Sequence, residues 1–425
     1  MFDNNFAIKG DICHSPGPDA LECVENGFAV CEGGRSSGLF RELPERFSGL
    51  PVLDCTGKLV LPGLTDLHVH AAQFGYRGTG MDVELLDWLN RYAFPEESRF
   101  SDIEYADKAY DRFVVDVRRG PNTRACVFAS AHTEATLLLM DKLEASGLVT
   151  MVGRVSMDKN APDGLREPDA KSAVSETVRW LDGASGRYER TEPMLTPRFI
   201  PSCSDELLSS LGRLSVERGL GVQSHLSENR SEVELVRSLQ PDSDFYGDAY
   251  DRFGLFGGDG RRTVMAHCVL SERPELELIR ERGVYIAHCP ASNMNVSSGI
   301  APVRRFLEMG LRTGLGSDVA GGTVTSIFRA MADAVQVSKL RWRLVDDSLA
   351  ALTAAEAFFL GTAGGGELFN TGSFKPGLEF DALVIDESRF APEDRGCLPE
   401  RLERNIYLSD DRDIVHKFVR GKQLF

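Results

Sequence analysis

From Leu59 to about residue 376 the chain alternates short apolar runs with longer amphipathic stretches. Runs of strand length followed by segments of helical period predict parallel strands joined by crossover helices. The candidate strands run from Leu64 to His70, Arg124 to Ala131, Leu148 to Met157, Pro193 to Ile200, Gly221 to Leu226, Thr263 to Cys268, Gly283 to His288 and Arg312 to Ser317. Eight such strands over about 250 residues is the count of a (β/α)8 barrel, whose chemistry gathers at the C-terminal ends of the strands. The apolar run Leu59-Val60-Leu61-Leu64 is read as the approach to the first of them.

The flanks have a different texture. Residues 1–58 carry short apolar segments, Phe6-Ala7-Ile8, Gly27-Phe28-Ala29-Val30 and Val52-Leu53, separated by Gly, Pro and Ser clusters. β character returns from about residue 377 in PGLEFDALVIDESRF and again in HKFVRGKQLF. Both ends therefore predict strands. Together they are expected to build one small β-sandwich-like domain, 1–58 plus 377–425, beside a metal-dependent hydrolase barrel spanning 59–376. Just after the first barrel strand, LLDWLNRYAF spaces Leu85, Leu86, Trp88, Leu89 and Tyr92 as a helix would. An aromatic stripe of this kind is read first as core packing, with a lid or pocket wall as the second reading.

Composition narrows the class. A chain of 425 residues, 42% hydrophobic, suits one large barrel with an appended unit. Its net charge of −16 argues against a surface for nucleic acid or anionic membrane. The nine cysteines include no C-x-x-C pair, so neither a disulfide framework nor a structural zinc knot is expected. The first residues lack the basic start and apolar core of a signal peptide, and no run reaches transmembrane length, which makes cytoplasmic residence the expectation.

Chemistry is then sought at the strand ends. His68-Val69-His70 closes the first strand, and the i, i+2 spacing sets both imidazoles on one face, with Asp66 continuing that row. Two histidines so spaced are more often polar residues on a solvated face. Here His225 ends the fifth strand, His267 the sixth and Asp318 the eighth. Imidazoles and one carboxylate with an open position for water are a catalytic zinc arrangement rather than a closed structural one. Such a site lowers the pKa of its water to about 7. Glu228, three residues after His225, reaches the site without being a ligand and suits protonation of a ring nitrogen. Taken alone, Glu228 reads as an acid at a helix start, and His267 as a hydrogen-bonded core histidine.

The remaining candidates are weaker. His132 stands in His132-Thr133-Glu134, but the P-C-x-x-C partner that an H-x-E zinc deaminase needs is absent, which leaves a strand-end residue near the pocket. His288 closes the seventh strand and reads as support for the fold or for the metal site. Asn293 either touches substrate or caps its loop. His14 and His416 are expected at the surface. Lys159 follows the third strand, so the bridging lysine of a two-metal site is not supported, and one metal is expected.

In order along the chain, LPGLTDLHVH, SHLSEN, MAHCVLSE, IAHCPASN and GLGSDVAGGT resemble the amidohydrolase superfamily. HAAQ at 70–73, LLDWLNRYAFPEESRF at 85–100, TPRF at 196–199, SENRSEVELV at 227–236 and YLSDDRDI at 407–414 resemble the guanine deaminases within it. Ala72 stands where that family commonly has Pro. The resemblance implies a zinc ion, with iron as the alternative, held by His68, His70, His225 and Asp318. It counts His267 either as a further ligand or as the residue that hydrogen-bonds the metal's water. It makes Glu228 the proton shuttle and Asp318 the acceptor of the water's proton, with His267 beside them in catalysis. Gln73, Arg198 and Phe199 match the positions that hold the purine. Arg198 offers fixed donors to a carbonyl or ring nitrogen, Gln73 a donor and an acceptor, and Phe199 a ring to pack on the base. The implied reaction is hydrolysis of guanine to xanthine and ammonia by a zinc-activated water, in a homodimer with a small-molecule purine as its ligand. Two alternatives stand beside it: deamination of another heterocycle, such as 8-oxoguanine, a pterin or a triazine, and a non-catalytic scaffold related to dihydropyrimidinases.

Overall fold

In the computed structural model, which describes residues 2–425, the central section forms a (β/α)8 barrel. Its first strand, Leu64–His70, is buried at every position, as a strand covered on both faces must be. Parallel neighbours run along it at Asn122–Phe128, Val149–Gly153 and Thr191–Pro193. A second parallel set runs through Val222–Leu226, Thr263–His267, Tyr285–His288 and Thr313–Leu315. Two joints close the ring. Leu195 N–H donates to Gly221 O at 2.9 Å, and Asp318 N–H donates to His68 O at 2.8 Å. The third and fourth strands are each split, with short continuations at Val155–Ser156 and Thr196–Pro197 that pair with one another. Pro193 and Pro197 have no N–H to give a continuous ladder, which accounts for the break in the fourth.

The strands from the two ends join in one seven-stranded sheet, curled so that Phe6 and Phe418, three strands apart in its order, pack with ring centroids 4.9 Å apart. Val52–Pro62 lies at its centre, between Phe6–Gly17 and Ala382–Ile385, and Ile414–Val419 pairs with the latter. Leu59, Val60 and Leu61 therefore belong to this sheet and not to the first barrel strand, which begins after Gly63. The chain turns there in a tight space, since a Cβ on Gly63 would lie 2.2 Å from Thr123 Oγ1. His14 is also not at the surface. It is buried, with Nδ1 2.9 Å from Ser373 Oγ and Nε2 3.0 Å from Glu22. His416 is half-buried.

Buried charge fastens sheet to barrel. Arg124, on the second barrel strand, donates to both carboxylate oxygens of Asp381, at 2.6 and 2.7 Å, and to Glu379 at 2.8 Å. The Lys417 ammonium caps the C-terminal turn of the helix Ile103–Arg119, donating to Gly120 O at 2.8 Å and Asn122 O at 2.6 Å. The base of the barrel is thereby fixed, while the opposite end carries the chemistry. Among the described residues no helix is long and apolar enough to cross a membrane.

Candidate active site

Backbone geometry at the strand ends turns the chemistry inward. His267 and Asp318 adopt φ of 77° and 45°, and Ser227, between His225 and Glu228, adopts 47°. Side chains other than glycine rarely hold the left-handed region, and where they do the surroundings enforce it. For Asp318 the enforcing contact is the hydrogen bond to His68 O that closes the barrel. Asp66 completes the joint. Its carboxylate accepts from the N–H groups of His68, at 3.1 Å, and Ser317, at 3.0 Å, and from Ser317 Oγ at 2.5 Å. Asp66 thus holds the backbone behind the site instead of joining the histidines, and burial pushes its carboxyl up to about 7.

His68, His70, His225 and Asp318 converge. His68 Nε2 and His70 Nε2 are 3.1 Å apart, and His225 Nε2 is 3.3 Å from that of His70. Asp318 Oδ1 lies 3.2 Å from His68 Nε2 and 3.4 Å from His70 Nε2. His267 Nε2 sits farther along the same wall, 3.8 Å from Asp318 Oδ2 and 3.4 Å from Glu228 Oε2.

The hydrogen bonds on the far side of the rings show what this cluster fits. His225 Nδ1 donates to Arg198 O at 2.6 Å, and His267 Nδ1 donates to Asn293 Oδ1 at 2.9 Å. With the proton on Nδ1, each Nε2 presents a bare lone pair to the centre. His267 Nε2 is buried and has no hydrogen-bond partner among the described residues. Lone pairs facing each other at about 3 Å repel unless a cation lies between them, and bond lengths of about 2.0–2.1 Å to a common ion produce such spacings. Burial lowers the pKa of His68, His70 and His225, with His70 brought down to about 4, so the rings are in the neutral form a metal requires. Burial pushes Asp318 up, but the imidazoles beside it, His68 foremost, outweigh it and hold the carboxyl well below the usual range.

Glu228 comes just after the fifth strand but does not cap the next helix. Asn229 caps Arg230–Leu239, and Glu232 Oε2 accepts the N–H groups of both Glu228, at 3.0 Å, and Asn229, at 3.3 Å. The Glu228 side chain is thereby left free to enter the cavity, where Ser298 Oγ donates to it at 3.1 Å. Burial, then the charge of Asp318, pushes Glu228 up to about 8, so the carboxyl holds a proton at neutral pH.

A cavity joins these groups to Gln73, Arg198 and Phe199. Its outer wall is Leu85, Trp88 and Leu89, so the aromatic stripe is a pocket wall on this side. The helix carrying them, Leu85–Trp88, passes through a π turn at Leu89–Ala93 into Phe94–Ser98. Pro95 has no N–H for Arg91 O, which accounts for the widened turn. One extra residue in the turn rotates the next segment by about 100°. That rotation brings Phe94 and Glu97 onto the face that already carries Trp88 and Leu89.

Other candidates lie elsewhere. His132 precedes the helix Thr133–Ser146 and lines a separate surface cleft with Phe100 and Arg154. His288 is buried with neither ring nitrogen partnered among the described residues, and burial takes it down to about 3. Asn293 holds His267, and its carbonyl accepts from Ser298 N–H at 2.9 Å. Two residues of the site, Glu97 and Ser298, do not stand out in the sequence. Glu97 lies inside the stretch 85–100, where an unbroken helical period turns it away from Trp88 and Leu89, so no local signal marks it. Nothing local marks Ser298.

Known proteins give an independent comparison. A guanine deaminase of Dictyostelium discoideum is 38% identical over 382 residues, covering 88% of this chain and 84% of its own. A guanine deaminase of Homo sapiens is 39% identical over 379 residues, covering 86% and 82%. The crystal structure of guanine deaminase from C. acetobutylicum with bound guanine in the active site superposes with a TM-score of 0.95 at 42% identity, covering 99% of this chain and 100% of that one. The amidohydrolase family profile matches residues 59–424, and the chain belongs to the amidohydrolase family.

Proposed function

We propose that this chain is a guanine deaminase, hydrolysing guanine to xanthine and ammonia. The observation that carries the reading is the sharing of one cavity by the imidazole and Asp318 cluster, Glu228, and the Arg198, Gln73 and Phe199 side chains. The fold and the similarity to guanine deaminases support it.

In this reading His68, His70, His225 and Asp318 hold one divalent ion, zinc by the chemistry of its donors, with His267 beside it. A bound ion of this kind supplies hydroxide at neutral pH by lowering the pKa of water to about 7. Arg198 and Gln73 hold the polar edge of the base, Phe199 packs on its face, and the wall of Leu85, Trp88 and Leu89 excludes bulk water. Glu228 gives its proton to N3 as the adjacent C2 is attacked. Asp318 would take one proton of the attacking water and pass it to the departing amine, and Glu228 would regain its proton from the hydroxyl of the adduct as the C2 carbonyl forms. His267 Nε2, close to both carboxylates, steadies the water between them.

Purified protein should release ammonia from guanine, lose that activity on chelation and regain it on adding zinc. Ammonia release from 8-oxoguanine, a pterin or a triazine at a rate exceeding that from guanine would overturn the substrate assignment. The domain division near residues 59 and 376 and the homodimer belong to the same reading, the latter tested by molar mass in solution.

A further inference from the structure

We propose that Glu97 is the positioning residue of the purine pocket, the group that sets the donors Arg198 and Gln73 present to a 6-oxopurine. Glu97 is 1% exposed and does not line the cavity. Its two carboxylate oxygens are divided between the two side chains that do. Oε1 accepts from Gln73 Nε2 at 2.7 Å, and Oε2 accepts from Arg198 Nη1.

Each contact removes an ambiguity. The Gln73 carboxamide is locked from both ends, because its Oε1 accepts from Ala320 N–H at 3.2 Å while its Nε2 is held by Glu97. One N–H and one lone pair remain for a ligand, in a fixed orientation. Arg198 is 2% exposed and needs a counter-charge to remain there. Glu97 supplies it through one N–H, and the Phe94 ring, 5.0 Å from Cζ, covers a face of the same guanidinium. The other N–H groups are left for the cavity, where they favour an acceptor such as a ring carbonyl and oppose an exocyclic amine. Phe94 and Glu97 lie three residues apart on the segment that the π turn rotated inward, so one helical turn grips the arginine from two sides.

This inference rests on the guanine reading above, and wild-type turnover of guanine secures that reading before any variant is compared. In Glu97→Gln, with bound metal and melting temperature close to wild type, KM for guanine should rise by about 10- to 100-fold. The value of kcat should stay within about threefold, since no reacting atom is touched. Added to a Gln73→Ala, Arg198→Ala variant, the same substitution should change kcat/KM by less than about twofold, because the residues it acts through are gone. Glu97→Asp, which keeps the charge, should fall between wild type and Glu97→Gln, and it serves as the test variant should Glu97→Gln fail to fold. A wild-type KM in these variants, or an effect of the same size in the background lacking Gln73 and Arg198, overturns the proposal.

Discussion

At the residue scale the proposed mechanism needs chemically similar groups in opposite protonation states. Glu228 and Asp318 are both buried carboxyls in one cavity. Asp318 is surrounded by imidazoles that hold its carboxyl low, whereas burial and then the charge of Asp318 push Glu228 up. In the proposed mechanism environment thereby sets an acid and a base. Replacing Glu228 with Gln keeps the shape and removes the transferable proton. The expected result is unchanged metal content with kcat lowered by about 10²- to 10⁴-fold, the range of a lost general acid, read by ammonia release and elemental analysis. Arg198→Ala should chiefly weaken guanine use by raising KM, and normal guanine kinetics there would remove its binding role.

Outside the site, His14 gives a pH prediction at the same scale. Burial lowers its pKa below the ordinary 6.5, against the pull of Glu22. The unfolded chain therefore takes up this proton first as pH falls, and stability drops with it below about pH 6.5. Urea midpoints at pH 7.5 and 5.5 should fall less in His14→Gln than in wild type. Equal falls would show that the proton is taken up equally in both states.

At the element scale the termini of strands and helices position the functional groups. Asn229 and Glu232 form a capping box at the start of Arg230–Leu239, and Glu232 also takes the N–H of Glu228. Removing the cap with Asn229→Ala should cost about 1 kcal/mol, seen as a lower melting temperature. It should also lower kcat, because the turn that aims Glu228 loosens; an unchanged kcat would separate the cap from the acid's placement. The helical run from Leu85 to Ser98 makes the same point. A wall of three residues and a buried clamp share one face only because the π turn before Pro95 shifts the phase. An unbroken 3.6-residue period does not anticipate that shift, so the stretch was legible as amphipathic while Glu97 was not legible as an inward residue.

For the whole molecule, the terminal sheet and the barrel are joined by ion pairs with almost no solvent to share the charge. Arg124 and Asp381 are both buried, and Glu379 is largely so. Arg124→Met would leave the buried Asp381 carboxylate without its ion-pair partner, while Glu379 keeps Arg420 at 3.1 Å, and should destabilise the protein by about 3–5 kcal/mol in denaturant unfolding. Barrel strand two begins beside that arginine and the strand bearing His68 and His70 pairs with it, so the sheet holds the base of the site's own strands.

Periodicity alone determined much of this. Eight apolar runs separated by amphipathic stretches specify a parallel barrel because each strand is buried on both faces and each helix on one. The convergence of His68, His70, His225, His267, Glu228 and Asp318 was legible because a barrel collects its strand ends at one mouth. The tertiary structure alone decided the features that depend on contacts between distant residues. Asp66 lies on the inward row yet bonds to the backbone across the barrel seam, His14 looks like a surface residue until Ser373 and the sheet enclose it, and Leu59 to Leu61 look continuous with a strand they do not join. Alternation along a chain records which face of an element is apolar, but it carries no information about which neighbour that face meets.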